Sequence, residues 1–553
     1  MREILGGSRV ADNRFFTNFG RTSTGYGDFP FRKPQDIAFA GYPMRFLRPF
    51  FPWAGLAVFL TLTFAVRCWN SAQVFSGGAT YFVDADCYSR MTRVQRVRAH
   101  PLQSIRFHDF ENAPFGTAPH TTAPMDLLIA ALTLITRSLD LAGALISPLL
   151  AVVLTGLLWW WGRKLKLPYR NALLMVVIFS PILVHGFLLG RPDHQSLILL
   201  LLGAALAAEL ALWTQPLQKW SIISALCWAL ALWTSLFEPL ILLLAVLACR
   251  VFVLGRKAWP LTHPAAPGIF LILLAVAFLF DGWRPLASSP ETREFFPRWS
   301  QTIGELNHLT PAQVFNWTGW LLPVVPILLV LRFRKEKNRV CLALAFLVIL
   351  TSALSLWYAR WGYFLALVFA FSLPWALASI PKKPVVWIIF LISLWPIASE
   401  WERQIFPDTA RQAALTESLE EAVLLREAAR ALVSPQRTII LAPWWLSPAL
   451  AYWSGQPCVA GSSHQSLPGI ADTARFYLAT DPLAAREILQ KRNVQYVVAY
   501  EPPRVMANSA QILGLAPPRE SLGKLLFDNP YASPRWLRLA YENKFFKVYE
   551  VKN

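Results

Sequence analysis

The chain is short of charge: 15% of its 553 residues are Asp, Glu, Lys or Arg, while 55% are hydrophobic. A soluble protein of this length rarely carries so little charge. The acids are the scarcer sign, 33 against 52 basic residues, for a net charge of +19. In a soluble protein that excess would point to nucleic acid. Here no basic stripe with interleaved aromatics appears outside the apolar runs, so a nucleic-acid partner is excluded. The six cysteines (Cys68, Cys87, Cys227, Cys249, Cys341, Cys458) form no CxxC pair, and three lie inside apolar runs. That excludes a zinc framework and a disulfide scaffold. Residues 1–48 contain no apolar core of a cleavable signal peptide and read as a polar cytoplasmic tail. There is no internal repeat and no low-complexity segment.

What is present is a succession of apolar runs. About 20 apolar residues span a bilayer. Eleven runs approach or exceed that length, at 51–68, 140–162, 170–189, 194–213, 219–236, 238–255, 266–281, 315–332, 338–357, 361–379 and 385–399. Residues 125–137 are apolar but short, and read as an interfacial or re-entrant piece.

Loop charges orient these spans. With a cytoplasmic N-terminus, one side collects Arg163/Lys164/Lys166/Arg170, Arg250/Arg256/Lys257, Arg332/Arg334/Lys335/Lys337/Arg339 and Lys382/Lys383. Basic loops belong inside. The expected class is therefore a mainly α, polytopic helix bundle in the plasma (inner) membrane. It comprises the tail 1–48, a membrane part 49–399 with large external loops 69–139 and 282–314, and an extracytoplasmic α/β part 400–553. In that last part RTIILAP (437–443), VQYVVAY (494–500) and FFKVYEV (545–551) read as strands. AAREILQKR (484–492) reads as a helix, and 401–433 as a helical link to the membrane.

The few external acids are the informative residues. Asp84 and Asp86 lie in YFVDADCYSR, Asp193 in GRPDHQ and Glu305 in QTIGEL. Carboxylates at membrane depth are costly unless they serve a cavity, a pair or a metal. Oxygen ligands from separate loops suit Mg²⁺ or Mn²⁺. Among the external histidines His100, His108, His120 and His194, His194 follows Asp193 directly and could join a metal shell. Arg191 precedes Asp193 by two, and Arg360, in SLWYARWGYF, breaks the inside rule for arginine. Either could hold a phosphate bidentately. The pair Trp444-Trp445 follows a predicted strand, as a binding platform or a core pair.

In order along the chain, these pieces resemble the catalytic subunit of oligosaccharyltransferase, a GT-C membrane glycosyltransferase. DADCY resembles its first-loop acidic motif, GRPDHQ its second, QTIGEL the bacterial TIxE motif, and WWLSP the WWDYG signature. The resemblance implies Asp86, Asp193, Glu305 and His194 as metal ligands for Mn²⁺ or Mg²⁺, with Asp86 and Glu305 catalytic. It implies Arg191 and Arg360 at the donor phosphate, and Trp444, Trp445 and Thr302 at the acceptor. Gln195 stands where many members have a second acid. Leu446 replaces the aspartate that reads the acceptor hydroxyl, and the count of eleven spans falls short of the family's usual thirteen.

The implied function is metal-dependent transfer of a glycan from a polyprenyl-(pyro)phosphate donor to an acceptor, a protein first. The runner-up is a transferase using a polyprenyl-monophosphate sugar on a lipid or glycan. The rival from another class is a transporter, a flippase or an inactive scaffold. Transporters place charge at broken helices in paired repeats; here the acids lie in external loops.

Overall fold

The computed structural model describes residues 51–100, 103–119, 121–215, 217–255, 263–282 and 290–552. The expected tail 1–48 lies outside the described residues, as do His120, Arg256, Lys257 and part of the second external loop.

Among the described residues, five helices are long and apolar enough to cross a membrane: Leu139–Lys164, His194–Thr214, Phe237–Leu254, Arg339–Trp357 and Ala359–Leu377. A sixth crossing would be the pair Lys383–Ser393 and Trp395–Ile405, bent by 42°. Shorter apolar helices accompany them at Trp53–Arg67, Ala123–Thr136, Arg170–Phe179, Lys219–Thr234 and Ala265–Asp281. Every residue of Gly362–Leu377 is buried. A helix that is apolar all round belongs in the interior, and here Trp161 packs edge-on against its Phe371. This central helix carries Arg360 and Tyr363 at its start.

Two expected spans are broken. The run 170–189 divides into Arg170–Phe179 and Pro181–Gly186. Pro181 has no N–H to continue the ladder. The freed carbonyls find side chains instead: fully buried Arg67 donates to Val177 O at 2.6 Å and Ile178 O at 2.7 Å, and Trp401 to Phe179 O at 2.7 Å. A break inside a membrane protein is tolerated where such partners exist. The run 315–332 divides into Pro311–Thr318 and Val324–Glu336, with Gly319 at φ +83° in the gap. There Ser180 donates to Trp317 O at 2.6 Å and Trp320 N–H to Ser393 O at 2.9 Å.

The C-terminal part holds a four-stranded sheet. Ile440–Leu441 runs parallel to Tyr496–Ala499, which pairs antiparallel with Lys547–Val551, itself paired with Leu537–Glu542. Helix Pro482–Lys491 makes the crossover. The strand at 537–542 was not expected, and the expected strand 437–443 shortens to two residues. The helical link 401–433 breaks at Pro407, and Asp408 caps the following helix Thr409–Ala431 by accepting from Arg411 N–H at 2.7 Å. In the first external loop, helix Ala85–Ala99 begins with Asp84 as N-cap, accepting from Cys87 N–H at 2.9 Å.

Candidate active site

At one end of the central helices, the DADCY, GRPDHQ and QTIGEL loops line a charged cleft. Helix His194–Thr214 is buried over most of its length, so Asp193 and His194 at its start are held at fixed depth. The turn before it needs Gly190: its φ is +75°, and a Cβ would meet Val74 Cγ2 at 2.8 Å. Its carbonyl accepts from Val83 N–H at 3.0 Å, which fastens the DADCY loop to the GRPDHQ loop.

Arg191 is the hub, only 3% exposed. Its guanidinium reaches Glu305 Oε1 at 2.7 Å, Asp84 Oδ2 at 3.5 Å and Asp193 Oδ2 at 3.6 Å. It also donates to Tyr363 Oη at 2.9 Å and meets His185 Nδ1 at 2.5 Å. Arg360 forms the second wall. Its Nε lies 2.5 Å from Glu238 Oε1, and its Nη1 3.8 Å from Glu305 Oε2. Its Nη2 is 3.2 Å from His194 Nε2, whose Nδ1 lies 2.5 Å from Asp193 Oδ1. Turned with its oxygen toward this guanidinium, the buried Gln195 amide accepts from Arg360 Nε at 2.9 Å and Nη2 at 3.0 Å. Asp84, Asp193 and Glu305, from three loops, thus meet one arginine, and Glu305 is shared by both.

Asp86 differs. Among the described residues it makes no ion pair. Its side chain opens to the cleft although protein surrounds it. Burial, then the like charges of Asp84, Asp193 and Glu305, push its carboxyl up to about 7. Burial also disfavours charge on Asp193 and Glu305, but the cations win. His194, Arg191 and Arg360 hold Asp193 well below the usual carboxylate range, and Arg191 and Arg360 lower Glu305.

Five carboxylates (Asp84, Asp86, Asp193, Glu238, Glu305) therefore face two guanidiniums. That negative excess and the hard oxygen donors fit a divalent ion such as Mg²⁺ or Mn²⁺ in charge and chemistry. The geometry is not preformed: among the described residues, no three His, Cys, Asp or Glu side chains are grouped as ready metal ligands. Arg191 lies among the acids instead.

The expected acceptor residues stand apart. Trp444 packs against Trp299 of the second loop, ring centroids 5.8 Å apart, and donates to Asn508 Oδ1 at 2.9 Å. Trp445 lies beneath the Arg504 guanidinium, 5.0 Å from its ring centre. Leu446 is a core residue, 4% exposed. The Thr302 hydroxyl turns back to Trp299 O at 2.7 Å. A small cavity beside the tryptophans is lined by Thr473, Asn508 and Ser509, and buried Thr473 Oγ1 and Trp445 Nε1 have no partner there. His108 belongs to a separate buried network: Asp126 accepts from Arg90 Nη1 at 2.7 Å and Arg93 Nε at 2.9 Å, and His108 lies 2.6 Å from both Arg93 Nη1 and Glu111 Oε1.

Glu238, His185 and Tyr363 were not singled out from the sequence. Glu238, in SLFEPL, had a readable signal: an acid at the outer start of an apolar run. Tyr363 lies one helical turn after Arg360.

No protein-family profile matches the chain, and no curated protein matches it. Solved structures do. The Archaeoglobus fulgidus oligosaccharyltransferase, tethered to an acceptor peptide with an NVT sequon, aligns at TM-score 0.65 and 14% identity over 86% of this chain and 72% of that one. The same protein in complex with an inhibitory peptide and dolichol-phosphate gives 0.62 and 14%, over 85% and 71%. ArnT from Cupriavidus metallidurans, bound to undecaprenyl phosphate, gives 0.51 and 12%, over 91% and 97%. This chain has the GT-C membrane glycosyltransferase fold. The likeness is one of fold, as the ordered motifs implied; a further complex of the archaeal enzyme, with Zn and sulfate, aligns at 0.59 and 16%, over 90% of this chain and 73% of that one.

Proposed function

We propose that the chain is a glycosyltransferase that moves a glycan from a polyprenyl-(pyro)phosphate donor to an acceptor, a protein in the first instance. The observation that carries this reading is the negative cleft with two fixed arginines at the head of the central helix. It occurs in a fold whose solved members are described with dolichol-phosphate or undecaprenyl phosphate.

Arg191 and Arg360 supply forked donors to the phosphate as it departs. Glu238 and Gln195 fix the Arg360 plane, and Tyr363 and His185 fix Arg191. Asp86, free of any cation partner among the described residues, orients the acceptor nucleophile and draws on its proton. The acceptor attacks the anomeric carbon as the bond to phosphate oxygen breaks, in one displacement with inversion. Glu305 reaches the cleft from the second external loop, which orders over the substrates. Asp86, Asp193 and Glu305, with His194, are the residues that would hold a divalent ion, and such an ion neutralises phosphate charge.

The second reading is a polyprenyl-monophosphate sugar transferase acting on a lipid or glycan. Leu446 favours it, since a buried leucine cannot accept a hydrogen bond from an acceptor hydroxyl. So does the alignment with ArnT, which covers nearly all of both chains.

Purified protein, incubated with polyprenyl-linked glycans and membrane acceptors from its host, separates the readings. Protein carrying an intact glycan supports the first. A single sugar on lipid or glycan, with polyprenyl monophosphate released, supports the second. Donor untouched under all conditions contradicts both.

A further inference from the structure

The QTIGEL loop that brings Glu305 to the cleft is preceded by helix Pro290–Trp299, which is docked on the C-terminal part. This helix buries Phe295 and Trp299, one turn apart on one face, and leaves Arg293, Glu294 and Arg298 exposed. Both buried rings are 3% exposed. They share an apolar cluster with Ile470, Ala471 and Ala474 of helix Leu467–Leu478 and Ile512 of helix Pro502–Leu513. Trp299 also meets Trp444 edge-on, with ring centroids 5.8 Å apart. Beside these rings, Arg298 Nη1 donates to Leu513 O at 3.1 Å, and the Arg475 guanidinium lies 5.4 Å from the Phe295 ring centre. Among the described residues the Trp299 indole N–H has no hydrogen-bond partner, so packing alone holds this ring.

From that anchor to Glu305 the chain has little slack. Only two 3₁₀ turns, Ser300–Thr302 and Gly304–Leu306, lie between them. In the first, Thr302 Oγ1 donates to Trp299 O at 2.7 Å and Ile303 N–H to Ser300 O at 3.1 Å. In the second, Leu306 N–H donates to Ile303 O at 3.0 Å and Asn307 N–H to Gly304 O at 3.3 Å. Ile303, between the turns, packs against the same apolar cluster as Trp299. Beyond Glu305 the chain is fastened to the turn that carries Arg360. Ala359 N–H donates to Asn307 O at 2.9 Å, and Leu309 N–H to Leu356 O at 3.3 Å. Glu305 is thus strung between two anchors, and its carboxylate meets Arg191 Nη2 at 2.7 Å and Arg360 Nη1 at 3.8 Å.

We infer that Trp299 is a positioning residue for Glu305: seated in the C-terminal part beside Trp444, it sets where the QTIGEL loop delivers that carboxylate between Arg191 and Arg360. The inference rests on the proposed role of Glu305 in the cleft. The bonds at Asn307 and Leu309 fix only the side of Glu305 toward the central helix. On the other side Trp299 is the last fully packed ring before the two turns, and Phe295 lies one helical turn farther away. Removing the Trp299 ring leaves the turns themselves intact but frees the end from which they start.

The test compares Trp299→Ala, Trp299→Phe, Glu305→Gln and the double variant Trp299→Ala/Glu305→Gln with wild type. The assay is steady-state transfer from the host's polyprenyl-linked glycan to its membrane acceptors. Losing an ångström of alignment can cost up to ~10²-fold, so Trp299→Ala should lower kcat at least ~10-fold. Trp299→Phe should recover most of it, because the indole N–H has no partner to lose. The double variant should be no slower than Glu305→Gln alone, which a general loss of stability would not produce. An unchanged kcat for Trp299→Ala, a Trp299→Phe as slow as Trp299→Ala, or additive losses would overturn the inference. Full transfer by Glu305→Gln would instead overturn the proposed role of Glu305. Hydrogen exchange adds a readout independent of activity. Trp299→Ala should speed exchange at Ile303, Leu306 and Asn307 while helix Leu467–Leu478 stays as protected as in wild type. Unchanged exchange at those three amides, or equal acceleration in the helix, would overturn the anchor even in a protein that transfers nothing.

Discussion

Two buried charge systems are both reached from helix Ala85–Ala99, and they are built to opposite rules. In the loop network, two arginines meet two carboxylates through a neutral histidine, and solvent is excluded. In the cleft, four carboxylates (Asp84, Asp193, Glu238, Glu305) share two arginines, Glu305 and Arg360 are partly open, and a fifth, Asp86, has no ion-pair partner among the described residues. A closed, balanced network meets its own electrostatic needs and can only hold structure. An open, unbalanced one keeps unspent charge for a ligand, which is where perturbed groups accumulate in functional sites.

Breaking each system should give opposite signatures. Asp86→Ala or Glu305→Gln should cost at least ~10²-fold in transfer, within the range of a lost acid–base or orienting group, while the unfolding midpoint stays put. Asp126→Asn should do the reverse. It leaves Arg90 and Arg93 short of a buried partner, and removing one member of such a group destabilises by about 3 kcal/mol or more. Chemical unfolding should register that loss, with transfer per folded molecule nearly unchanged. If Asp126→Asn abolished transfer without destabilising, the contrast would fail.

Smaller effects sharpen the same comparison. Arg360→Lys keeps the charge but loses the planar fork that Glu238 and Gln195 hold, and should reduce kcat/KM by about 10-fold. Trp444→Phe removes the N–H donated to Asn508, worth about 1 kcal/mol, and should raise acceptor KM severalfold without changing donor KM. An equal change in donor KM would place Trp444 on the wrong substrate.

Sequence carried the cleft's outline because acids are scarce near the apolar runs, so Asp84, Asp86, Asp193 and Glu305 stood out. Positive-inside topology put all four on one side, and it marked Arg360 as misplaced. The supporting residues were hidden by their surroundings. Glu238 and Tyr363 sit at the ends of apolar runs, and His185 lies inside one, so hydropathy absorbed them. The breaks at Ser180 and Gly319–Pro323 escaped for another reason. Hydropathy measures side chains, whereas these breaks are made good by distant donors such as Arg67 and Trp401. The strand Leu537–Glu542, at an edge of the sheet, alternates between inward and exposed residues along LRLAYE, a signal that was present but not read.

The most direct test of the cleft as the reacting centre is the metal dependence of glycan release. Protein stripped with chelator is given polyprenyl-linked glycan, then Mn²⁺, beside Asp86→Ala. The account predicts no release before Mn²⁺, release after it in the wild type, and none in the variant. Release by chelator-stripped protein, or full release by Asp86→Ala, would contradict it.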